Sequence, residues 1–197
     1  MTSQHVFAVA LALLVAQRVY ELRLSRRHER RLFARGAVEH APRHFRAMAA
    51  LHGSWFVAMS VEVFVFDAAF HPRVAFVALA VTIAGQALRY AAIRTLGERW
   101  TVRVITLPGQ EPVRAGIYRH VRHPNYAGVV LEIAAVPLLH GAFFTSVSYS
   151  LANAVVLWVR IRAEERALSA CGNYAGLLRR PRFLPDLRQP DREPRAP

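Results

Sequence analysis

Apolar residues in this chain gather into long runs separated by short polar stretches. Residues 6–16 are apolar and continue as an amphipathic stretch over 17–24; further runs cover 47–66, 74–93, 127–144 and 145–161. Runs of roughly 17–25 mostly apolar residues are long enough to cross a bilayer as a helix. The pattern predicts an all-α integral membrane protein with about five transmembrane helices. The last two runs form a tight helical hairpin through His140-Gly141, with Pro137 kinking the first of them. Residues 100–107 alternate as W-T-V-R-V-I-T-L before Pro108-Gly109. That predicts a small extended or hairpin element in the loop before the fourth helix. After Arg179 the chain turns rich in Pro, Arg and Asp. One membrane-embedded domain over 1–185 and a disordered polar tail over 186–197 are expected.

The first run lacks the basic leader of a signal peptide, since only His5 precedes it, and Arg18, Glu21 and Arg23 stand where a cleavage site would fall. A retained helix is expected.

Charge sharpens the membrane picture. The net charge is +13, and all 26 basic residues are arginine. A charge of that size also suits nucleic acid. Here, however, the arginines lie between apolar runs rather than along one helix face, so no nucleic-acid partner is expected. Residues 22–46 carry eight arginines, 67–73 one, 94–122 six, the link at His140-Gly141 none, and 160 onward nine. Basic and non-basic connections alternate, as five spans require under the positive-inside rule. The N-terminus is then outside and the C-terminus cytoplasmic, in the cytoplasmic membrane.

Cys171 is the only cysteine, which leaves no internal disulfide and no sulfur cluster. The nine histidines are not read as a metal-binding set, and no metal site is expected.

Two polar clusters fall on the cytoplasmic side of this map. One is Gly116-Ile-Tyr-Arg-His-Val-Arg-His-Pro-Asn-Tyr-Ala-Gly128, at the entry to the fourth helix. The other is Arg160-Ile-Arg-Ala-Glu-Glu165, at the end of the fifth. Ionisable groups at a membrane face are functional candidates by default. Pro124 suits a first helical turn, which puts His123 at the N-cap. The free N–H groups of a helix start, with Arg119 and Arg122 beside them, favour an anionic guest. Arg119 taken alone reads equally well as a headgroup anchor. Arg160 and Glu164 are spaced i,i+4 and can pair. Glu164 and Glu165 suit ribose hydroxyls or an ammonium group. Glu132 lies one turn beyond Gly128, which lets another group approach the backbone closely. A carboxylate at that depth needs a partner or a wet cavity. Glu62 is the second intramembrane carboxylate, with His52 about three turns earlier. Arg89 is a candidate partner for either Glu.

These residues resemble a known family. G-I-Y-R-H-V-R-H-P-N-Y-A-G, a helical hairpin and then R-I-R-A-E-E-R-A-L are similar to the isoprenylcysteine carboxyl methyltransferase family, most strongly over 96–185. R-V-Y-E-L-R-L-S-R-R-H-E-R-R-L-F-A-R-G-A-V-E-H and M-A-A-L-H-G-S-W-F resemble a bacterial branch associated with type III polyketide synthases. That branch has S-R-N where this chain has S-R-R-H. The resemblance implies an integral-membrane methyltransferase that uses S-adenosylmethionine. It also implies O-methylation of a long-chain alkylpyrone or alkylresorcinol, a lipophilic acceptor entering from among the membrane lipids, with a type III polyketide synthase as pathway neighbour. Carried onto this chain, it places Arg122, His123, Pro124, Tyr126, Gly128, Arg160, Glu164 and Glu165 around the cofactor. Glu132 or His123 is then the expected base. Intramembrane NADPH-dependent sterol reductases share R-H-P-N-Y before a late helix. Phospholipid or isoprenylcysteine methylation is a further alternative.

Overall fold

The computed structural model describes residues 2–170 and 180–183. The expected tail over 186–197, the domain boundary at 185 and Cys171 lie outside the described residues. Five helices carry the fold: α1 (Ser3–Ala34), α2 (Pro42–Phe64), α3 (Pro72–Leu96), α4 (Pro124–Ala135) and α5 (Phe143–Ala170). Among the described residues four helices are long and apolar enough to cross a membrane, namely α1, α2, α3 and α5. Their outward faces carry large apolar side chains, including Leu13, Val57, Phe76, Leu151 and Trp158. Apolar surface on that scale suits lipid rather than water.

The fourth apolar run departs from expectation. Its α-helix has only 12 residues, a rise of about 18 Å against a hydrocarbon core of about 30 Å. Pro137 ends it rather than bending it, and the chain continues as a 3₁₀ turn over Pro137–His140. Together the two rise about 26 Å. α4 is the buried centre of the bundle, packed principally on α3 and α5. Ile133 and Val136 join Trp55, Met59 and Val63 of α2 and Phe7 of α1 in the core.

Glycine sets the closeness of α3 and α4. A Cβ on Gly128 would lie 2.6 Å from Arg89 Cγ and 2.7 Å from the Gly85 carbonyl oxygen. Only a residue without a side chain fits there. The close approach expected at Gly128 is therefore made by α3, not by a cofactor.

Glu62 links α2 to α5 as a cap. Its carboxylate accepts from the backbone N–H of Phe144 at 2.9 Å, from that of Thr145 at 2.7 Å, and from the Thr145 hydroxyl at 2.6 Å. An anion at a helix N-terminus satisfies free N–H groups and complements the helix dipole. Replacing Glu62 by alanine is expected to lower stability by about 1 kcal/mol or more. Thermal melting of the detergent-purified protein checks this; an unchanged melting temperature would remove the cap from the account.

The extended element before α4 is real, but it is not a hairpin. β2 (Val104–Thr106) pairs antiparallel with β1 (Val38–His40), between α1 and α2, in the register Val38↔Thr106, Glu39↔Ile105 and His40↔Val104. Two loops distant in sequence are thus joined. α1 straps the same loop down: His28 Nδ1 donates to the Trp100 carbonyl at 2.8 Å, and Val102 N–H donates to Ser25 Oγ at 2.9 Å.

Candidate active site

The strapped loop roofs a cavity of about 590 Å³ that reaches down between α1, α2, α3, α4 and α5. Its walls bring together Arg122, His123, Tyr126, Arg160 and Glu164 from the two sequence clusters. Further along α1, α2 and α4 the lining becomes mainly apolar, with Val15, Val19, Met48, Phe56 and Val129. The volume is within the range of small-molecule sites.

His123 is the N-cap residue of α4 and Pro124 opens its first turn. The buried His123 ring stacks on Tyr126, with centroids 5.3 Å apart and planes 21° from parallel. The Tyr126 hydroxyl accepts from Arg160 Nε at 2.7 Å and donates to Glu164. Arg160 and Glu164 are thus joined through the tyrosine. Arg160 also reaches the roof, donating to the Val102 carbonyl at 2.6 Å.

Glu165 is not part of the cavity lining and gathers three donors. It accepts from Arg122 at 2.7 Å, His123 Nε2 at 3.1 Å and Arg182 at 2.8 Å. Its carboxylate holds the Arg182 guanidinium above its ordinary pKa, chiefly through that hydrogen bond. The backbone closes the same junction: Arg122 N–H donates to the Pro181 carbonyl and His123 N–H to that of Arg182, both at 3.0 Å.

Four expected site residues do not line the cavity: Pro124, Gly128, Glu132 and Glu165. Pro124 is buried in the helix start and Gly128 is packed under α3. Glu165 acts behind the wall, orienting two residues that do line it. Glu132 is held by Arg18 and Arg89, with Arg89 Nε 3.4 Å from Oε1. Arg89 and Arg18 also pair with Glu21. A carboxylate anchored by two guanidiniums is not free to swing towards an acceptor. Arg18, Glu21, His52 and Asn125 are wall residues outside the expected set. Arg18 and Glu21 had a legible signal, two opposite charges at i,i+3 where the apolar half of α1 gives way to its charged half.

Two buried polar atoms beside the motif have no partner among the described residues, Arg122 Nε and Asn125 Oδ1. One is a donor beside a guanidinium charge and the other an acceptor, and both residues line the cavity. A carboxylate and an ammonium group, as in an amino-acid moiety, complement that pair. Among the described residues there is no cluster of three His, Cys, Asp or Glu side chains able to hold a metal ion.

Residues 76–170, which run from α3 through α5, match the isoprenylcysteine carboxyl methyltransferase (ICMT) family. The chain is 36% identical to YpbQ, an uncharacterized protein of Bacillus subtilis (strain 168), over 82% of its own length and 96% of that protein. It is 30% identical to an uncharacterized protein of Haemophilus influenzae, over 82% of its length and 94% of that one. With near-complete relatives, the matched segment and several exposed apolar helices, the chain is an integral membrane protein that belongs to the ICMT family.

Proposed function

We propose that this protein transfers a methyl group from S-adenosylmethionine to a hydroxyl of a lipophilic acceptor at the cytoplasmic face of the cytoplasmic membrane. Membership of a methyltransferase family supports the reaction class. The observation that carries the proposal is the cavity itself. Polar groups line it under the roof, and apolar side chains line it deeper in the bundle. A charged cofactor and a lipid tail need those two surroundings in one space.

Arg122 and Asn125 would hold the amino-acid end of the cofactor, and Glu164 would take ribose hydroxyls. Bound there, the cofactor supplies a sulfonium methyl group open to in-line displacement. The protein's contribution is placement, which is where most of the acceleration of such a step can come from. Tyr126 and His123 form a stacked wall that fixes where the cofactor can lie. The arginine-rich loops support a cytoplasmic placement of this end under the positive-inside rule. Five crossings follow if α4 and its 3₁₀ extension count as one.

The acceptor we favour is a long-chain alkylpyrone or alkylresorcinol from a type III polyketide synthase. The likeness of the α1 and α2 sequences to that branch supports it, as does the apolar lining. α1 and α2 touch little and both line the cavity, which suits a tail sliding in sideways from the bilayer.

Calorimetry with S-adenosylmethionine and with NADPH, run side by side on purified protein, tests the proposal. Binding of S-adenosylmethionine alone is the expected result. Binding of NADPH alone would overturn it in favour of a membrane reductase.

A further inference from the structure

The α2 wall of the cavity is a helical stripe of Phe45, Met48, Ala49, His52, Gly53 and Phe56. One ionisable side chain interrupts it. The neighbouring charged groups are committed to protein partners: Arg18 and Arg89 to Glu21 and Glu132, and Arg160 to Tyr126 and Val102. His52 is placed differently. Its Nδ1 lies 2.8 Å from the Met48 carbonyl oxygen, one turn earlier on the same helix. A carbonyl can only accept, so Nδ1 carries a proton. In the neutral ring Nε2 then presents a lone pair. Among the described residues Nε2 has no hydrogen-bond partner, and the residue lines the cavity.

We propose that His52 is the general base of the methyl transfer, with Nε2 taking the hydroxyl proton of the acceptor. The proposal rests on the methyltransferase reading above. In the step, the acceptor O–H bond breaks and its proton passes to Nε2. The freed oxygen electron pair forms the O–CH₃ bond. The electron pair of the C–S bond goes to sulfur, and the donor leaves as a neutral thioether. The imidazolium returns its proton to water at the cavity mouth. Arg18, Arg89 and Arg160 lie close enough to act on the ring electrostatically, and their field favours an oxyanion beside it.

The assignment narrows the acceptor class. An imidazole is a weak base, matched to a moderately acidic hydroxyl. Phenols and enols qualify; alkyl alcohols are too weakly acidic. A carboxylate acceptor, already ionised, would need no base.

The test compares wild type with His52→Gln in nanodiscs, using an alkylresorcinol as acceptor. Wild-type turnover is expected to fall at low pH, because the protonated ring cannot accept. His52→Gln should bind S-adenosylmethionine as wild type does, by calorimetry. It should lose turnover by about 10²–10⁴-fold, as removal of a general base does, and lose that acid limb. The charges acting on His52 are Arg18 from α1, Arg89 from α3 and Arg160 from α5; with Glu21, Tyr126 and Glu164 of the same cavity wall, they are present in both proteins. A second readout needs no turnover. A bound alkyl nitrophenol should be more ionised in wild type than in the variant at the same pH. Undiminished turnover with an unchanged pH profile, or equal ionisation, overturns the assignment; so does loss of cofactor binding in the variant. If the variant does not fold, a wild-type profile without the acid limb overturns it. Failure of wild type to bind S-adenosylmethionine would instead sink the reading on which it rests.

Discussion

Replacing Glu165 by alanine is expected to weaken S-adenosylmethionine binding by at least tenfold, although the side chain is not part of the cavity wall. This one carboxylate is the shared counter-charge for Arg122 and Arg182 and the acceptor for His123. Removing it leaves two guanidiniums and a buried imidazole facing one another. Breaking a buried pair by deleting one partner costs roughly 3–5 kcal/mol, because the remaining charge stays desolvated. Arg182 is 44% exposed, so its share is screened and small. The loss falls mainly on Arg122 and His123. Arg122 relaxes towards solvent and His123 loses the bond that holds its ring against Tyr126. Both shape the cofactor end of the cavity, and a tenfold loss needs only about 1.4 kcal/mol. Calorimetry and thermal melting, with and without the cofactor, read the two effects separately. Glu165→Gln keeps an acceptor without the charge and should fall between. Wild-type affinity in the alanine variant would show that the cluster does not position the site.

Glu132→Gln is expected to act on the fold more than on the chemistry. The residue is 3% exposed, sits on the face of α4 that meets α3, and binds guanidiniums from α1 and α3. The substitution leaves Arg18 and Arg89 sharing Glu21 alone. A drop of about 3–5 kcal/mol in stability is the expected scale. Coupling to Arg89 is the discriminating measurement. The double variant with Arg89→Gln should be less destabilised than the sum of the two single variants, since the second change removes the charge orphaned by the first. A base at this position predicts another pattern: turnover would fall while melting stayed put, with no coupling to Arg89. That pattern would return Glu132 to catalysis.

Much of this architecture is legible in the chain because hydropathy and charge act over short distances. The long runs become α1, α2, α3 and α5. The conflict between one apolar run and its proline resolves at Pro137, where the α-helix stops. Pro124 opens α4 with His123 as its N-cap, as the sequence predicts, and Arg122, His123, Asn125 and Tyr126 line the cavity. Partners across the fold are not legible. A carboxylate in a membrane must be paired, but the sequence offers Arg89 to either Glu62 or Glu132 without ranking them. The structure gives Arg89 to Glu132 and Glu21, and gives Glu62 to the start of α5. Likewise Glu164 and Glu165 look interchangeable in sequence. One residue of helical rotation, about 100°, puts the first in the cavity wall and the second behind it.

The strand pairing has a consequence for the order in which the protein is made. His40 and Thr106 meet across 66 positions, so β1 leaves the ribosome long before its partner exists. At roughly 5–20 residues per second the delay is about 3–13 s, ample for α1 to meet the bilayer alone. The roof cannot close until β2 arrives, and the Glu165 clamp waits again for Arg182, a further 17 positions downstream. The cavity is therefore finished last, so a growing chain offers no completed pocket to passing lipid.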